Sequence, residues 1–491
     1  MTALPKKYDF HSSEERLRAW WEEQGVYHFA PDLDQPIYSI DTPPPTVSGH
    51  LHMGHVYSYT HADVLARFRR MRGYAVFYPM GYDDNGLPTE RLVEREAGCR
   101  AAQMARGDFI ARCLEVSELA ETEYRDLWQR LGLSVDWRHT YRTIGDRAVR
   151  LAQRSFIDLY KKELVYRREA PVLWCPHCGT AIAQAELEDI ERQGVLYELA
   201  FELEDEGVLP IATTRPELLA ACVAVFVHPQ DSRFRDLVGK KARLPLFDRQ
   251  VPIIADEGAD PQKGTGAVMS CTFGDSADVE WWRLHQLPLI QALDRQGCLS
   301  QAAGKYAGLA VGEGRQSVIR DLEVEGRLLG RQDLLQSVRV HERCDSPIEY
   351  LVTPQWFVRV LEYKQELLDA GDKITWYPLH MKVKYRQWVE NLNWDWCISR
   401  QRYFGVSFPV WYCASCGAVR LAEKEQLPLQ WGTAASPSFC ECGANLRLRW
   451  RSRFSSGKSW LITIWKWQKS ACTIRAVQLE RGRNTRYSTP Y

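Results

Sequence analysis

Two histidines, three residues apart, form the first pattern in this sequence that could do chemistry. His52 and His55 follow a loop over residues 43–49 that reads Pro-Pro-Pro-Thr-Val-Ser-Gly. Their spacing places both imidazoles on one face of the first turn of a helix, where free N–H groups and the helix dipole attract anions. Two imidazole donors there suit the phosphates of a nucleotide, and Gly54 between them lets a flat base approach the backbone. The alternative, two surface histidines at a helix start, is disfavoured by the strand and loop before them.

Two sets of cysteines have the spacing of metal ligands. We expect a cytosolic chain, in which thiols stay reduced, and there a Cys-x-x-Cys-Gly knuckle is a strong signal for zinc. The alternative is that these cysteines are unrelated core residues. In the second set, the last pair has one intervening residue instead of two. The expected ligands are Cys175, Cys178, His341 and Cys344 for one zinc ion, and Cys413, Cys416, Cys440 and Cys442 for another.

The segments around the histidines predict a parallel sheet. Residues 37–40 are a short β-prone run, residues 51–71 have the pattern of a helix that stops at Gly73, and residues 75–78 are again β-prone. A strand, loop, helix and strand in about 45 residues form a βαβ unit. Before this unit, residues 9–30 have the pattern of an amphipathic helix.

The chain after residue 100 contains a stretch with a helical pattern and then a stretch with a β-rich pattern. Residues 100–165 are helical in pattern. From about residue 190 to residue 340, short β-prone runs alternate with Gly, Pro and Asp turns, which predicts an inserted β-rich domain. The clearest of these runs are 208–213, 223–227 and 251–254.

Composition excludes several classes of protein. The 491 residues include 63 Lys and Arg and 63 Asp and Glu, with 26% charged and 45% hydrophobic residues, which is typical of a globular chain and not of a disordered or collagen-like one. No run of about 18 uncharged apolar residues occurs, so we expect no membrane span. No apolar stretch follows Lys6 and Lys7, so we expect no signal peptide and a cytoplasmic location.

Residues 39–95 are similar to the signature region of the class I aminoacyl-tRNA synthetases. The motifs His-Met-Gly-His at 52–55 and Gly-Tyr-Asp-Asp-Asn-Gly-Leu-Pro-Thr-Glu at 81–90 match that family, and the triple proline followed by Thr-Val-Ser-Gly most resembles its valyl-tRNA synthetase branch. The resemblance implies that ATP, with Mg²⁺, activates valine to valyl-adenylate for transfer to tRNA(Val). His52 and His55 would stabilise the reacting phosphate, and Asp83 would pair with the α-amino group. The other residues implied for substrate and ATP binding are Pro44, Pro45, Thr46 and Gly54.

A second region resembles the editing domain shared by valyl-, isoleucyl- and leucyl-tRNA synthetases. Residues 211–217 (Ile-Ala-Thr-Thr-Arg-Pro-Glu) alone indicate a strand end and a turn, but residues 263–268 and two downstream aspartates complete the resemblance. A pocket shaped for valine rejects isosteric threonine only about 100-fold, so a second site must hydrolyse Thr-tRNA. The resemblance implies hydroxyls that orient the ester or water, and carboxylates that receive the threonine ammonium and hydroxyl groups. The residues implied are Thr213, Thr214, Arg215, Asp275 and Asp278.

Together these features predict an α/β fold, in which a Rossmann-like parallel nucleotide-binding domain carries an inserted β-rich editing domain and zinc knuckles. We expect a monomer whose partners are tRNA(Val), valine and ATP. The predicted segments are 1–165 for the N-terminal helix and first half of the catalytic domain, 166–190 for the first knuckle strand, 191–340 for the editing domain, 341–446 for the return of the knuckle and catalytic domain, and 447–491 for an atypical basic tail.

The resemblance stops near residue 446. Residues 447–491 hold 11 Lys and Arg against one acid, so the first 446 residues hold 63 − 11 = 52 basic and 63 − 1 = 62 acidic residues. The tail lacks the Lys-Met-Ser-Lys-Ser loop and helical bundle of the family, so we expect a truncated or out-of-frame end and a poor ligase. A tRNA-contacting tail is the alternative. The alternative functions are an isoleucyl-tRNA synthetase, or an editing-only or tRNA-binding remnant without ligase activity.

Overall fold

The computed structural model describes residues 8–30, 34–47, 49–413, 415–430, 440, 442, 446–447, 453–454 and 475–478. These residues form two compact units. The first comprises the described residues within Met1–Tyr166, Val358–Asp395 and Gln401–Tyr491, and the second comprises Arg167–Phe357 and Trp396–Arg400. Most of the basic tail predicted at 447–491 lies outside the described residues.

Helices occur in both units. In the described part of the chain, no helix is both long and apolar enough to span a membrane. The helices are α1 (Phe10–Glu23), α2 (Met53–Met71), α3 (Leu87–Ala97), α4 (Arg106–Arg130), α5 (Asp146–Lys161), α6 (Ser276–Leu284), α7 (Val311–Val324), α8 (Lys364–Asp372) and α9 (Met381–Glu390).

Strands build several sheets. The larger sheet belongs to the second unit, and the strands that carry the histidine and aspartate motifs belong to the first. The strands are β1 (Ile37–Asp41), β2 (Ala75–Phe77), β3 (Gly81–Tyr82), β4 (Tyr141–Arg142), β5 (Val165–Cys175), β6 (Thr180–Ala181), β7 (Leu187–Leu203), β8 (Val208–Thr213), β9 (Cys222–Val227), β10 (Lys241–Arg243), β11 (Gln250–Ala255), β12 (Ala267–Cys271), β13 (Leu328–His341), β14 (Glu349–Val358), β15 (Trp396–Cys397), β16 (Ser399–Arg400), β17 (Val410–Cys413), β18 (Val419–Leu421), β19 (Leu446–Arg447), β20 (Arg453–Phe454) and β21 (Arg475–Gln478).

The predicted βαβ unit is confirmed in the first unit. β1 and β2 pair in parallel, with Ile37 opposite Ala75, and α2 connects them. The helix ends at Met71, and Gly73 follows with a φ of +84°, a left-handed conformation that glycine adopts without a steric cost. The backbone of β21 pairs antiparallel with β1 on its other side.

The inner face of α2 packs on these strands and anchors a distant turn. Tyr59 and Ala66 are buried in one hydrophobic core with Trp128. The buried carboxylate of Asp63 accepts hydrogen bonds from the backbone N–H and the hydroxyl of Ser134, at 2.6 and 2.5 Å. The turn that follows α4 is therefore fixed against the helix that begins at the histidine motif.

Two of the helix predictions are wrong in extent. The helix expected over 9–30 stops at Glu23, because Gly25 takes a left-handed φ of +59°. The stretch expected to be helical over 100–165 is divided into α4 and α5, and between them the chain turns at Gly132 and forms β4. β4 pairs in parallel with β3, so this break brings residue 143 beside residue 83.

The second unit contains the predicted β-rich region. Its main sheet has the order β12-β9-β11-β10-β7-β13, with β8 also paired to β7. The runs predicted at 208–213, 223–227 and 251–254 are the strands β8, β9 and β11, to within one residue at each end. One core of this unit includes Val223, Phe226 and Trp281, so α6 is packed against β9.

A buried carboxylate ties α3 to the chain segment that was predicted to return to the catalytic domain. Glu90 Oε1 accepts hydrogen bonds from the backbone N–H groups of Tyr403 and Phe404, at 2.7 and 2.6 Å. Glu90 and Phe404 are both buried. The Leu-Pro-Thr-Glu sequence at 87–90 thus supplies an acceptor for backbone from more than 300 residues away.

We expect Glu90→Ala to lower the free energy of unfolding by about 2–4 kcal/mol, because two backbone donors lose their acceptor. Glu90→Gln should cost less, since its amide oxygen can still accept. The measurement is urea-induced unfolding of each variant. Glu96→Ala, on the exposed side of the same helix, is the control and should change stability by less than about 0.5 kcal/mol. Equal losses for Glu90→Ala and Glu96→Ala would contradict this role.

Candidate functional site

The histidine motif forms the N-terminal cap of α2. His52 is the cap residue, so the helix begins at Met53 and not at residue 51 as predicted. His52 Nδ1 accepts the backbone N–H of Gly54 at 3.1 Å, and His55 Nδ1 accepts the backbone N–H of His52 at 3.3 Å. The two rings lie with their centroids 4.1 Å apart. The two imidazoles therefore lie together at the helix start, as predicted, although His52 precedes the first turn.

The reciprocal cap also sets the chemistry of the imidazoles. A ring nitrogen that accepts a backbone N–H carries no proton, so a neutral histidine in this arrangement carries its proton on Nε2. Nε2 then acts as a hydrogen-bond donor. Both His52 and His55 have this arrangement, and it occurs at a helix N-terminus, which itself attracts anions.

Gly54 is required by packing. A Cβ at this position would lie 2.9 Å from Cε1 and 3.1 Å from Nδ1 of His52. The glycine therefore lets the His52 ring fold back over the first turn. This contact gives a reason for Gly54 that the sequence analysis, which invoked a nucleotide base, did not anticipate.

The loop before α2 is held by buried side chains. Pro44 and Pro45 are buried, and Thr46 is half-buried. Tyr59 donates its hydroxyl to the carbonyl of Pro43, and Thr89 donates to the carbonyl of Val47 at 2.9 Å. The loop is thus fixed to α2 and α3 on both sides.

Asp83 lies beside this loop. Its backbone N–H donates to the carbonyl of Pro45 at 2.9 Å, and its carbonyl accepts the N–H of Val47 at 3.0 Å. The carboxylate is buried, with Oδ2 placed 3.4 Å from the hydroxyl of Thr46 and Oδ1 placed 3.4 Å from the hydroxyl of Thr143. The structure therefore brings Asp83 and Thr46 together, in line with their common assignment to one site.

The next residue, Asp84, has a different environment. Its carboxyl group is fully buried, and burial together with the neighbouring carboxylate of Glu121 raises the pKa of Asp84 to about 8, although Arg142 opposes the shift. Arg142 Nε lies 2.6 Å from Glu121 and 3.8 Å from Asp84. These surroundings therefore favour the protonated form of the Asp84 carboxyl more strongly than those of an ordinary aspartate do.

The first set of predicted metal ligands meets in the second unit. The Sγ atom of Cys344 lies 3.6 Å from those of both Cys175 and Cys178, and His341 Nδ1 lies 3.4 Å from Cys178 and 3.5 Å from Cys344. A tetrahedral zinc site with ordinary bond lengths has ligand separations of roughly 3.8 Å between sulfurs and roughly 3.6 Å between sulfur and nitrogen. The four atoms therefore fit zinc.

The second set meets in the first unit. Cys413 and Cys442 have their Sγ atoms 3.5 Å apart, and Cys416 and Cys440 have theirs 3.7 Å apart. All four ligand atoms lie within 4.8 Å of one another. In both sets the first cysteine sulfur accepts the backbone N–H of the second at 3.4 Å, as a metal knuckle requires. Both clusters could hold a metal ion.

The segments assigned to editing also meet. A Cβ on Gly274 would lie 2.9 Å from Oδ2 of Asp278 and 3.3 Å from the Leu218 side chain. On the other side, Gly264 adopts a φ of +58° and approaches the Ala212 side chain closely. The end of β8, which includes Thr213, thus lies next to Gly264, and the segment that follows Arg215 lies next to the loop before α6.

The two aspartates of this region differ. Asp275 is exposed and caps α6, since its Oδ1 accepts the backbone N–H of Asp278 at 3.1 Å. Asp278 is buried and accepts the backbone N–H groups of Cys271 and Gly274, at 3.2 and 2.7 Å. Burial, aided by the nearby charge of Asp275, raises the pKa of Asp278 to about 7. Asp278 is therefore both a structural acceptor and a group that titrates near neutrality.

Arg215 is committed to a buried ion network. Its guanidinium lies 3.1 Å from Glu217 and donates at 2.9 Å to both oxygens of Glu349, while Arg315 donates at 2.8 Å to both oxygens of Glu217. Burial disfavours the charge of Glu217, yet the two arginines hold its pKa below the usual value. The guanidinium of Arg215 is thus bonded to Glu217 and Glu349, and these bonds hold the backbone that follows Thr213 and Thr214 in place.

Sequence reasoning missed Thr143, Glu349 and Arg315, although each contacts a predicted site residue. None belongs to a short motif with a recognisable spacing. Thr143 is 60 residues from Asp83, and Glu349 is 134 residues from Arg215. For Thr143 the contact arises from the parallel pairing of β3 with β4, which brings residues that follow these strands to one edge of the sheet, and the sequence offered no signal of that pairing because β4 lies in a stretch with a helical pattern.

Comparison with known proteins gives consistent matches. The family described as tRNA synthetases class I (I, L, M and V) matches residues 16–434. A protein named valine--tRNA ligase from Rickettsia conorii is 46% identical to this chain over 434 residues, which are 87% of this chain and 53% of the relative. A second protein of that name, from Haloarcula marismortui, is 47% identical over 451 residues, which are 90% of this chain and 50% of the relative. The chain spans about half the length of the curated relatives it matches. A crystal structure of a ternary complex of LeuRS from Agrobacterium radiobacter K84 with tRNA and LeuAMS has a TM-score of 0.43 and 21% identity, and covers 90% of this chain and 57% of that one.

Proposed function

Because the chain belongs to the class I tRNA synthetases (I, L, M and V), with residues 16–434 matching that family, we propose that it activates valine with ATP and transfers the valyl group to tRNA(Val). The observation that carries the proposal is the juxtaposition of a histidine-capped helix with a buried aspartate. His52 and His55 cap α2, and Asp83 is bonded to the loop that leads into it. The relatives that support valine as the amino acid are those named valine--tRNA ligase.

The reaction that fits this site is attack of a valine carboxylate oxygen on the α-phosphorus of ATP, which forms valyl-adenylate as the bond to the bridging oxygen breaks and pyrophosphate leaves. Nε2 of His52 and of His55 donates hydrogen bonds to phosphate oxygens, and these bonds strengthen as negative charge grows in the transition state. Mg²⁺, when bound with ATP, neutralises further phosphate charge. The protein acts by positioning and charge stabilisation.

Asp83 is the proposed partner of the valine ammonium group. It lies next to Asp84, whose pKa is raised to about 8 by burial and by Glu121, so Asp84 is the weaker competitor for the ammonium group. Thr46 bounds the same space. Pro44 and Pro45 complete the loop and lie against the bound substrates.

The editing region is proposed to hydrolyse Thr-tRNA(Val). Support comes from two close approaches: Gly274, in the loop before α6, lies near the Leu218 side chain, and Gly264 lies near Ala212, the neighbour of Thr213. The hydroxyls of Thr213 and Thr214 would orient the ester or the attacking water, and the two carboxylates would receive the threonine ammonium and hydroxyl groups.

The zinc ions proposed at the two cysteine clusters have structural roles, because each cluster supplies four protein ligands and leaves no open position.

Adenylate formation is tested by valine-dependent exchange of pyrophosphate into ATP, which reports the reverse of adenylate formation. The chain should support exchange with valine above the background without amino acid, and His52→Ala should lower it, because one preorganised donor to the phosphate is lost. Exchange that needs no amino acid, or that is unchanged in His52→Ala, would contradict the assignment of the site.

The deacylation rate of Thr-tRNA(Val) should rise through pH 7, because Asp278 must be ionised to bind the ammonium group and its pKa is raised to about 7. The deacylation rates of the wild-type chain and of Asp278→Asn are measured from pH 5.5 to pH 8.5. The rate of the variant is subtracted from that of the wild type at each pH, because the subtraction removes spontaneous hydrolysis. The free energy of unfolding should change in the opposite direction with pH. The pKa of Asp278 is higher in the folded chain than in the unfolded chain, so its contribution to stability is fully present below about pH 4 and is lost as the pH rises through about 7.

The control for this experiment is Asp248→Asn, an exposed aspartate of the same unit, which should leave the profile unchanged. A difference that does not depend on pH, or that is zero at every pH, would remove Asp278 from the proposed editing chemistry.

A further inference from the structure

We propose that Thr143 is a positioning residue for the amino-acid site, whose hydroxyl fixes the orientation of the Asp83 carboxylate. The inference rests on the proposed function, because it takes Asp83 as the partner of the valine ammonium group. Thr143 lies 60 residues from Asp83 in the sequence, and its hydroxyl is 3.4 Å from Asp83 Oδ1.

The hydrogen-bond inventory of Thr143 determines where its proton points. A hydroxyl has one proton to donate and two lone pairs that accept. Oγ1 accepts the backbone N–H of Asp84 and the side-chain N–H of Asn85, both at 3.0 Å. With both lone pairs used, the single O–H is directed to the remaining acceptor in reach, which is the Asp83 carboxylate.

Thr143 is itself held by the sheet. Its backbone N–H donates to the carbonyl of Tyr82 at 3.0 Å, directly after the register pair of Tyr82 and Arg142 in β3 and β4. The side chain therefore projects from a strand end and not from an unsupported loop. A positioning group on a rigid element orients its partner more accurately than one on a loop does.

The chemistry of the contact suits an ammonium site. The carboxylate torsion of aspartate is soft, so hydrogen bonds decide its plane. Thr46 lies near Oδ2 and Thr143 near Oδ1, both at 3.4 Å. Hydroxyls hold the carboxylate without cancelling its charge, whereas the nearby cation Arg142 is paired with Glu121. Neither hydroxyl carries a formal charge, so these two contacts do not neutralise the carboxylate.

A merely structural role for Thr143 makes a different prediction. If its hydroxyl serves only to satisfy the N–H groups of Asp84 and Asn85, its loss should weaken the binding of every ligand alike, or only lower stability. If it orients Asp83, the loss should be specific to ligands that carry an ammonium group. The two cases are separated by comparing valine with 3-methylbutanoate, which is valine without that group.

The experiment measures the affinities of the wild-type chain, Thr143→Val and Thr143→Ser for valine, 3-methylbutanoate and ATP by calorimetry. Thr143→Val should bind valine about tenfold more weakly, the effect of one hydrogen bond to a charged group, with 3-methylbutanoate and ATP changed less than twofold. Thr143→Ser keeps the hydroxyl and should match the wild type. If Thr143→Val does not fold, Thr143→Ala takes its place in the same comparison.

Equal valine affinity in the hydroxyl-lacking variant and the wild type would overturn the inference, and so would a parallel loss for all three ligands. Absence of valine binding by the folded wild-type chain would instead contradict the proposed function itself. The two failures are therefore distinguishable within one set of titrations.

Discussion

Asp83→Asn should weaken valine binding about 100-fold or more, because a buried ammonium group loses its charged partner while every neighbour keeps its shape. Leaving a charge unpaired at a buried site typically costs about 3–5 kcal/mol, or roughly two to nearly four orders of magnitude in affinity. Asp83 is buried, and its backbone is bonded on both sides to the proline loop. Asparagine at this position retains those backbone hydrogen bonds, so the loss of valine affinity would result from the loss of the negative charge.

The measurement is calorimetric titration of folded Asp83→Asn with valine and with ATP. ATP affinity should change little, since the proposed phosphate donors are His52 and His55. Asp126→Asn, on the exposed face of α4, is the matched control and should bind both ligands as the wild type does. Unchanged valine affinity in Asp83→Asn would show that the ammonium group is bound elsewhere.

Cys178→Ser should remove one zinc ion from the chain and destabilise the second unit severely. Cys178 Sγ lies 3.4 Å from His341 and 3.6 Å from Cys344, so its loss opens a four-ligand site. Structural zinc contributes about 10–16 kcal/mol of apparent binding free energy in small zinc domains. The four ligands join residues near 175 to residues near 341, and the loss of zinc should therefore loosen both ends of the β-rich region.

Metal analysis after purification without a chelator should give two zinc ions for the wild-type chain and one for Cys178→Ser. The same variant should unfold at a lower urea concentration. Cys298→Ser replaces a cysteine of the same unit that lies outside both clusters, and it should keep both ions and the wild-type midpoint. A wild-type chain that retains no zinc would contradict the assignment of both clusters.

Sequence patterns predicted those parts of the fold and the site that are formed by residues close together in the chain. The histidines three apart predicted a helix start, and there His52 and His55 cap the first turn reciprocally, with their rings 4.1 Å apart. The cysteine pairs predicted knuckles because one tight turn brings two cysteines three residues apart together. The β8, β9 and β11 strands were visible because each is a short apolar run bounded by turn residues.

Other features depend on tertiary pairing, which local spacing does not encode. Thr143 reaches Asp83 only because β4 pairs in parallel with β3, and β4 itself was hidden in a stretch with helical periodicity. Arg215 is a polar turn residue in the sequence, yet in the fold it joins Glu217 and Glu349 in a buried ion network. Burial also separates Asp83 from its neighbour Asp84, whose pKa is raised to about 8.

We propose that this chain forms valyl-adenylate at the site built from His52, His55 and Asp83. Pyrophosphate exchange with valine, isoleucine and threonine, measured at high chain concentration, tests it most directly. We expect exchange that is fastest with valine and about 100-fold less efficient with isosteric threonine. Faster exchange with isoleucine than with valine, or no dependence on any of the three amino acids, would contradict it.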